Sequence, residues 1–161
     1  MAQKIVPNLW FDTEVEEAAE YYCSIFKNAR ITDKTHYPPG TDKAGEVLTV
    51  EWELDGQRFV GINGGPQFKF NEAVSLEIAC ADQDEVDYYW DKLTADGGEE
   101  LPCGWAKDRY GLVWQVVPEE AVALFKDDDP QRAARAFEAM MEMKKLDIAA
   151  LREAADAVPA K

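Results

Sequence analysis

Three stretches of this 161-residue sequence carry residue types able to do chemistry. The first is "INGGPQFKFN", Ile62 to Asn71, where two glycines and a proline follow an apolar run. Glycine-rich loops hold phosphate when bare backbone N–H groups approach the anion and the next helix points its positive end at it. Here neither a Walker lysine with Ser or Thr nor a GxGxxG pattern is present, and the following "AVSLEIAC" reads as a strand. The stretch therefore reads as a connection, with Phe68 and Phe70 left as apolar cover over a cavity or as packing beneath the loop. The second is Cys103 in "PCGW", a turn-like setting where Lys107 and Arg109 are close enough in sequence to favour a thiolate. The third is the single histidine, His36, which precedes a Pro-Pro-Gly loop and reads as a surface residue. Cys23 and Cys80 fall on predicted buried faces, and three cysteines without a CxxC pair suggest neither a disulfide framework nor a zinc knuckle.

The surrounding composition narrows the function classes. Apolar residues make up 47% of the chain, including five Trp and seven Phe, which suits one compact domain with a sizeable core. The net charge of −15 repels phosphate backbones and anionic lipid surfaces, so nucleic acid and membrane are not expected partners. No apolar run approaches the roughly 20 residues needed to span a bilayer, and "MAQKIVPNLWF" lacks the core of a secretory signal. The expectation is a soluble cytoplasmic protein.

The elements that must position any site come from periodicity. "KIVPNLWF" reads as a strand, Asp12 or Thr13 as the N-cap of the next helix, and Val15, Ala18, Ala19, Tyr22 and Phe26 as its buried stripe. A strand near Arg30 to Tyr37 follows. Then Leu48, Val50, Trp52 and Leu54 alternate with polar residues up to Asp55-Gly56, a strong hairpin signal. The order then recurs: strand "AVSLEIAC", Asp82 or Asp84 as N-cap, and a helix with Val86, Tyr89, Trp90 and Leu93 inward. A short segment near Leu101 and a closing hairpin in "DRYGLVWQVV" complete the copy. Beyond Pro118 the pattern is helical. Asp129-Pro130 and Asp147 supply caps, and Ala133, Phe137, Met140, Met141 and Lys144 trace a mostly apolar stripe that packs on the sheets or on a dimer partner. The predicted organisation is an α+β fold of two strand-helix-strands copies, 1–64 and 65–118, with a helical tail over 119–161.

This order, with "LWFD…EAAEYY", "LDGQRFVGINGGPQFKFN" and "PCGWAKDRYGLVWQVVP", closely resembles the PhnB-like branch of the vicinal-oxygen-chelate superfamily, which includes glyoxalases, bleomycin resistance proteins and extradiol dioxygenases. Members of that branch have carried the label 3-demethylubiquinone 3-methyltransferase. The resemblance implies paired βαβββ modules forming a curled mixed sheet around a cavity, and commonly a homodimer. Metal-dependent relatives place one His, Gln or Glu ligand on the first and last strand of each module, where converging N and O donors leave an open coordination position. Carried onto this chain, those positions fall near Ile5 and Ser75, at Gly61 or Asn63, and at Gln115.

Only Gln115 of these is a credible ligand, so the resemblance implies a dismantled metal site and no cofactor. Glu77 shares the face of Ser75. The expected cavity lining is Asn63, Ser75, Glu77 and Gln115, since Val74, Leu76, Ile78 and Cys80 claim the helix side, with Trp105, Tyr110, Phe68 and Phe70 closing the mouth. A lone carboxylate in an apolar cavity is poorly solvated when charged, which suits Glu77 to proton abstraction; hydrogen bonding within the sheet is the plainer role. The reading is a glyoxalase-like protein binding a small, partly apolar metabolite. The alternatives are a metal-dependent lyase, isomerase or dioxygenase, a methyltransferase as the branch label suggests, and a non-catalytic interaction module. "LWFDT", Leu9 to Thr13, has no glycine with which a Rossmann-like sheet would grip S-adenosylmethionine.

Overall fold

A computed structural model describes residues 3–157. The first strand, β1, runs only from Asn8 to Phe11. It starts later than the apolar pattern suggests because Pro7 has no N–H for the ladder, although its carbonyl still accepts Val60 N. Helix α1 (Val15–Ile25) buries Val15, Ala18, Ala19, Tyr22 and Ile25. Ile25 replaces Phe26 in the expected stripe because Phe26 has already left the helix with ψ 135. Neither Asp12 nor Thr13 is the cap. The N-cap is Glu14, which makes no side-chain cap bond, and Val15 N donates instead to Asn63 Oδ1 at 2.9 Å, across 48 residues.

Strands β2 (Ala29–His36), β3 (Val47–Leu54) and β4 (Gln57–Asn63) complete this module. The sheet order is β1-β4-β3-β2, with β1 and β4 parallel and the other pairs antiparallel. Asp55 and Gly56 join β3 to β4 with φ of 47° and 83°, the two positive values a tight hairpin turn requires. Trp52 is fully buried between Tyr22 and Phe59, each 5.9 Å away by ring centroid. Gly61 permits this close packing, since a Cβ there would overlap Val15 and lie 2.8 Å from the Trp52 ring.

The second module repeats the plan. Strand β5 (Ser75–Cys80) leads to α2 (Gln83–Thr94), then β6 (Glu99–Glu100), β7 (Trp105–Lys107) and β8 (Val113–Pro118). The order β5-β8-β7-β6 has β5 and β8 parallel and matches the first sheet position for position. Asp82 accepts Glu85 N while Glu85 accepts Ala81 N, a reciprocal cap that fixes where α2 begins. Val86, Trp90 and Leu93 are buried; Tyr89 is only partly so. The fold is thus α+β, built of paired βαβββ modules in two open, mixed four-stranded sheets. Contacts group the chain into one unit ending at Phe70 and another beginning at Asn71.

The tail consists of α3 (Glu119–Phe125), α4 (Pro130–Met141) and α5 (Ile148–Asp156), the last two capped by Asp129 and Asp147 as expected. Ala121, Leu124, Ala136, Leu146, Leu151 and Ala155 form its core, joined by Met140 and Met143. The stripe on α4 differs from expectation: Ala136 points inward, whereas Phe137 and Met141 are about half exposed. The tail packs on its own second module. Cys103 N and Gly104 N donate to Met143 O and Lys144 O, and Gln83 bonds both Leu146 O and Ile148 N. No helix among the described residues is long and apolar enough to cross a membrane.

An ion pair of 2.7 Å between Lys145 and Asp87 also ties the tail to α2. The hydrogen bond from Lys145, then that from Gln83, holds the Asp87 carboxyl below its usual range. A depressed carboxyl contributes stability that is present above its unfolded value and lost as pH falls through the folded value. Urea unfolding at neutral and at acid pH is therefore expected to show Asp87→Asn losing less on acidification than the parent chain. The difference is under about 1 kcal/mol because both side chains are well solvated.

Candidate functional site

Alternation along β5 separates two faces. Ile78 and Cys80 are buried on the side that α2 covers, and there burial, with Glu85 and Asp82 adding to it, pushes the Cys80 thiol up to about 12. The opposite face is built by register. Glu77 lies opposite Gln115, which lies opposite Trp105; Ser75 lies opposite Val113, which lies opposite Lys107. Two rows of three residues thus stand side by side on the face away from α2, which is open at Glu77, partly covered at Ser75, Trp105, Lys107 and Gln115, and closed over Val113. Gln115 Nε2 donates to Ser75 Oγ at 2.8 Å. Glu77 is exposed and has no hydrogen-bond or ion-pair partner among the described residues.

Trp105 opens onto a pocket of about 360 Å³ lined otherwise by Glu72, Leu101, Pro102 and Cys103. Two residues on along β7, Lys107 Nζ sits 2.7 Å from Glu72 and 3.7 Å from Glu99. The hydrogen bond from Lys107 draws the Glu72 carboxyl down, and Glu72 in turn raises the Lys107 ammonium. Cys103 has φ 62 and brings Sγ 3.7 Å from Met141 Sδ.

Asp108 escaped the sequence reading. It is 2% exposed, and its carboxylate accepts Tyr110 N, Leu112 N and Trp114 Nε1 at 2.9 to 3.1 Å. This places Tyr110 in the turn that feeds β8 and so helps set the Gln115 row. An acid followed by N–H groups two and four residues on is an Asx-type turn signal within "KDRYGL".

The other proposed lining residues belong to the first unit. Asn63 lies on the helix side of its sheet, not the open side: besides capping α1, its Nδ2 donates to Val47 O. Phe70 packs edge-on against Phe11 at 5.4 Å. Phe68 packs against Trp10 at 4.9 Å yet remains 64% exposed. Gly64 and Gly65 let the loop fold over Trp10, whose Nε1 donates to Gly65 O; a Cβ on Gly64 would overlap the indole. Ile5 precedes β1 and is exposed, as are Val74 before β5 and His36 at the end of β2.

The shared register names the equivalents of Glu77 and Gln115 in the first module. Cys80 and Pro118 close one parallel pair and Phe11 and Asn63 the other, so three residues back stand Asn8 and Val60. Within the second module, Glu77 and Gln115 alone, one carboxylate and one amide, form a poor donor set for a divalent ion. Among the described residues, no group of three or more His, Cys, Asp or Glu is placed to hold a metal.

The family model for 3-demethylubiquinone-9 3-methyltransferase matches residues 3–117. This chain belongs to that PhnB-type family. Its fold is that of the vicinal-oxygen-chelate superfamily. The PhnB protein of Bacillus cereus, a candidate 3-demethylubiquinone-9 3-methyltransferase, is 31% identical, with 72% of this chain and 99% of that one covered at a TM-score of 0.65. A Pseudomonas aeruginosa protein is 17% identical, covering 73% and 98% at 0.61. A variant of the fosfomycin resistance protein FosX from Listeria monocytogenes, in complex with Mn(II) and a dihydroxypropylphosphonic acid, is 16% identical, covering 71% and 90% at 0.50. These two share the fold with the PhnB-type chain. A comparison with curated proteins finds no match.

Proposed function

We propose that this protein binds a small, partly apolar metabolite on the open face of its second sheet, without the divalent ion of its metal-dependent relatives. The observation that carries the reading is the row Trp105, Gln115, Glu77 beside the pocket of about 360 Å³. An aromatic wall with a few placed polar groups is the usual make-up of a small-molecule site. Ser75 and Gln115 orient each other and hold the polar end of the ligand. Glu77 is the group able to take a proton from it. We further propose that it acts in the cytoplasm and, following the dimers common in its branch, as a homodimer.

Methyl transfer, which the family label would suggest, fits the chain poorly. Each sheet has a single parallel pair, and no glycine occupies Leu9 to Thr13, the end of β1 and the turn toward α1, where a Rossmann-like sheet would grip S-adenosylmethionine. A thermal-shift screen against metabolites and divalent ions, with Ser75→Ala and Glu77→Gln in parallel, tests the proposal. Metabolites are expected to stabilise the parent, by about 2.7 kcal/mol at a hundredfold excess over Kd. The response should weaken in both variants, and divalent ions should give none. No metabolite response, or stoichiometric metal in protein purified without added ions, contradicts it.

A further inference from the structure

The charge pattern of the open face goes further than the presence of a pocket. Of the six residues in its two rows, Lys107 is the one cation, and Glu72 and Glu99 already hold it. Glu77 is the one carboxylate, and no described residue pairs with it. Gln115 gives one of its two N–H groups to Ser75, and its Oε1 remains an acceptor. Trp105 adds the negative face of an indole, which attracts cations within about 6 Å of the ring. Around this face the chain carries a net charge of −15. The uncharged polar groups of this face can donate as well as accept, so the sign of the preferred ligand is set by the open Glu77 carboxylate; an anionic ligand would have to displace Glu72 from Lys107 while facing Glu77.

We propose that the ligand is a cation: an aromatic or other flat apolar body seated against Trp105, bearing an ammonium group on a short tether that reaches Glu77. The strands bearing those two residues flank β8, so their Cα atoms stand roughly 10 Å apart. A flat ring with a two- or three-atom tether, added to the reach of the glutamate side chain, spans that gap. This inference rests on the pocket reading above and adds the sign of the ligand's charge to it.

Three probes with one indole body and different charge separate the two ideas: tryptamine, indole-3-propionamide and indole-3-propionate, titrated by calorimetry at low salt. Tryptamine is expected to bind about fivefold tighter than the neutral amide, and the propionate weakest, a preference of the size an exposed charge contact supplies. Glu77→Gln should remove the preference while the amide still binds. Glu138→Gln, which takes the same charge from α4, should leave it intact, and added salt should shrink it. If the amide binds but tryptamine shows no advantage, or Glu138→Gln abolishes the advantage as fully as Glu77→Gln, the charge inference is wrong and the pocket stands. If the propionate binds tightest, the inference is reversed. If none of the three binds at millimolar concentration, the pocket reading fails and takes the inference with it.

Discussion

Asp108→Ala is expected to cost about 3–5 kcal/mol in denaturant unfolding. The side chain is only 2% exposed and satisfies two backbone N–H groups and the Trp114 indole at once. Removing it leaves donors that water cannot easily reach, each worth about 1–3 kcal/mol when orphaned, with the total softened by relaxation of the turn. Asp108→Asn keeps one acceptor oxygen and presents an NH₂ group where a donor already points, so a smaller loss of about 1–2 kcal/mol is expected. The pair of variants distinguishes an organising carboxylate from ordinary packing. Equal losses in Ala and Asn would mean that charge dominates, and a loss below about 1 kcal/mol in the alanine variant would remove Asp108 from the account.

Trp52→Ala should cost a similar amount, about 3–5 kcal/mol, by opening the core of the first module between Tyr22 and Phe59. A second substitution makes the prediction sharper. Trp52 Nε1 is buried with no hydrogen-bond partner among the described residues, so the native indole carries an unpaid desolvation cost. Trp52→Phe discards that donor along with some packing area, and the two effects oppose each other. Its expected loss is about 1–2 kcal/mol, well short of the alanine variant. Gly61 explains why nothing larger is tolerated nearby, since the indole edge and Val15 fill the space a side chain would need. If Trp52→Phe proves as damaging as Trp52→Ala, the unpaired N–H is not a source of strain and ring area alone sets the stability of this core.

The βαβββ plan was readable from sequence because its signals are local. Helical periodicity set Val15, Ala18, Ala19 and Tyr22, Asp82 was one of two candidate caps for α2 and is the one used, and Asp55-Gly56 marked a hairpin. The family resemblance puts Ser75 and Gln115 separately at strand positions of the second module, and their side chains hydrogen-bond there. The misreadings involve partners far away in sequence. The family resemblance puts Asn63 at a last-strand ligand position and so in the cavity lining, while its neighbour in the fold is a helix N-terminus 48 residues earlier. Phe137 and Met141 fit an apolar stripe, but the small residue Ala136 is what the core of the tail accepts. In sequence Lys107 stands out only as a neighbour of Cys103, because its partner Glu72 lies before β5, on the far side of α2 along the chain. Asp108 was passed over because charged residues are seldom fully buried, and only the fold shows where its bonds go.

The open face of the second sheet as a ligand surface is the claim on which the rest depends. It is tested most directly by backbone and indole chemical-shift mapping on ¹⁵N-labelled protein titrated with the neutral probe, indole-3-propionamide. Saturable shifts confined to residues 75–79, 101–107 and 113–117, including the Trp105 indole, are the expected result. Shifts centred on α4, on the first module, or nowhere up to millimolar probe would contradict it.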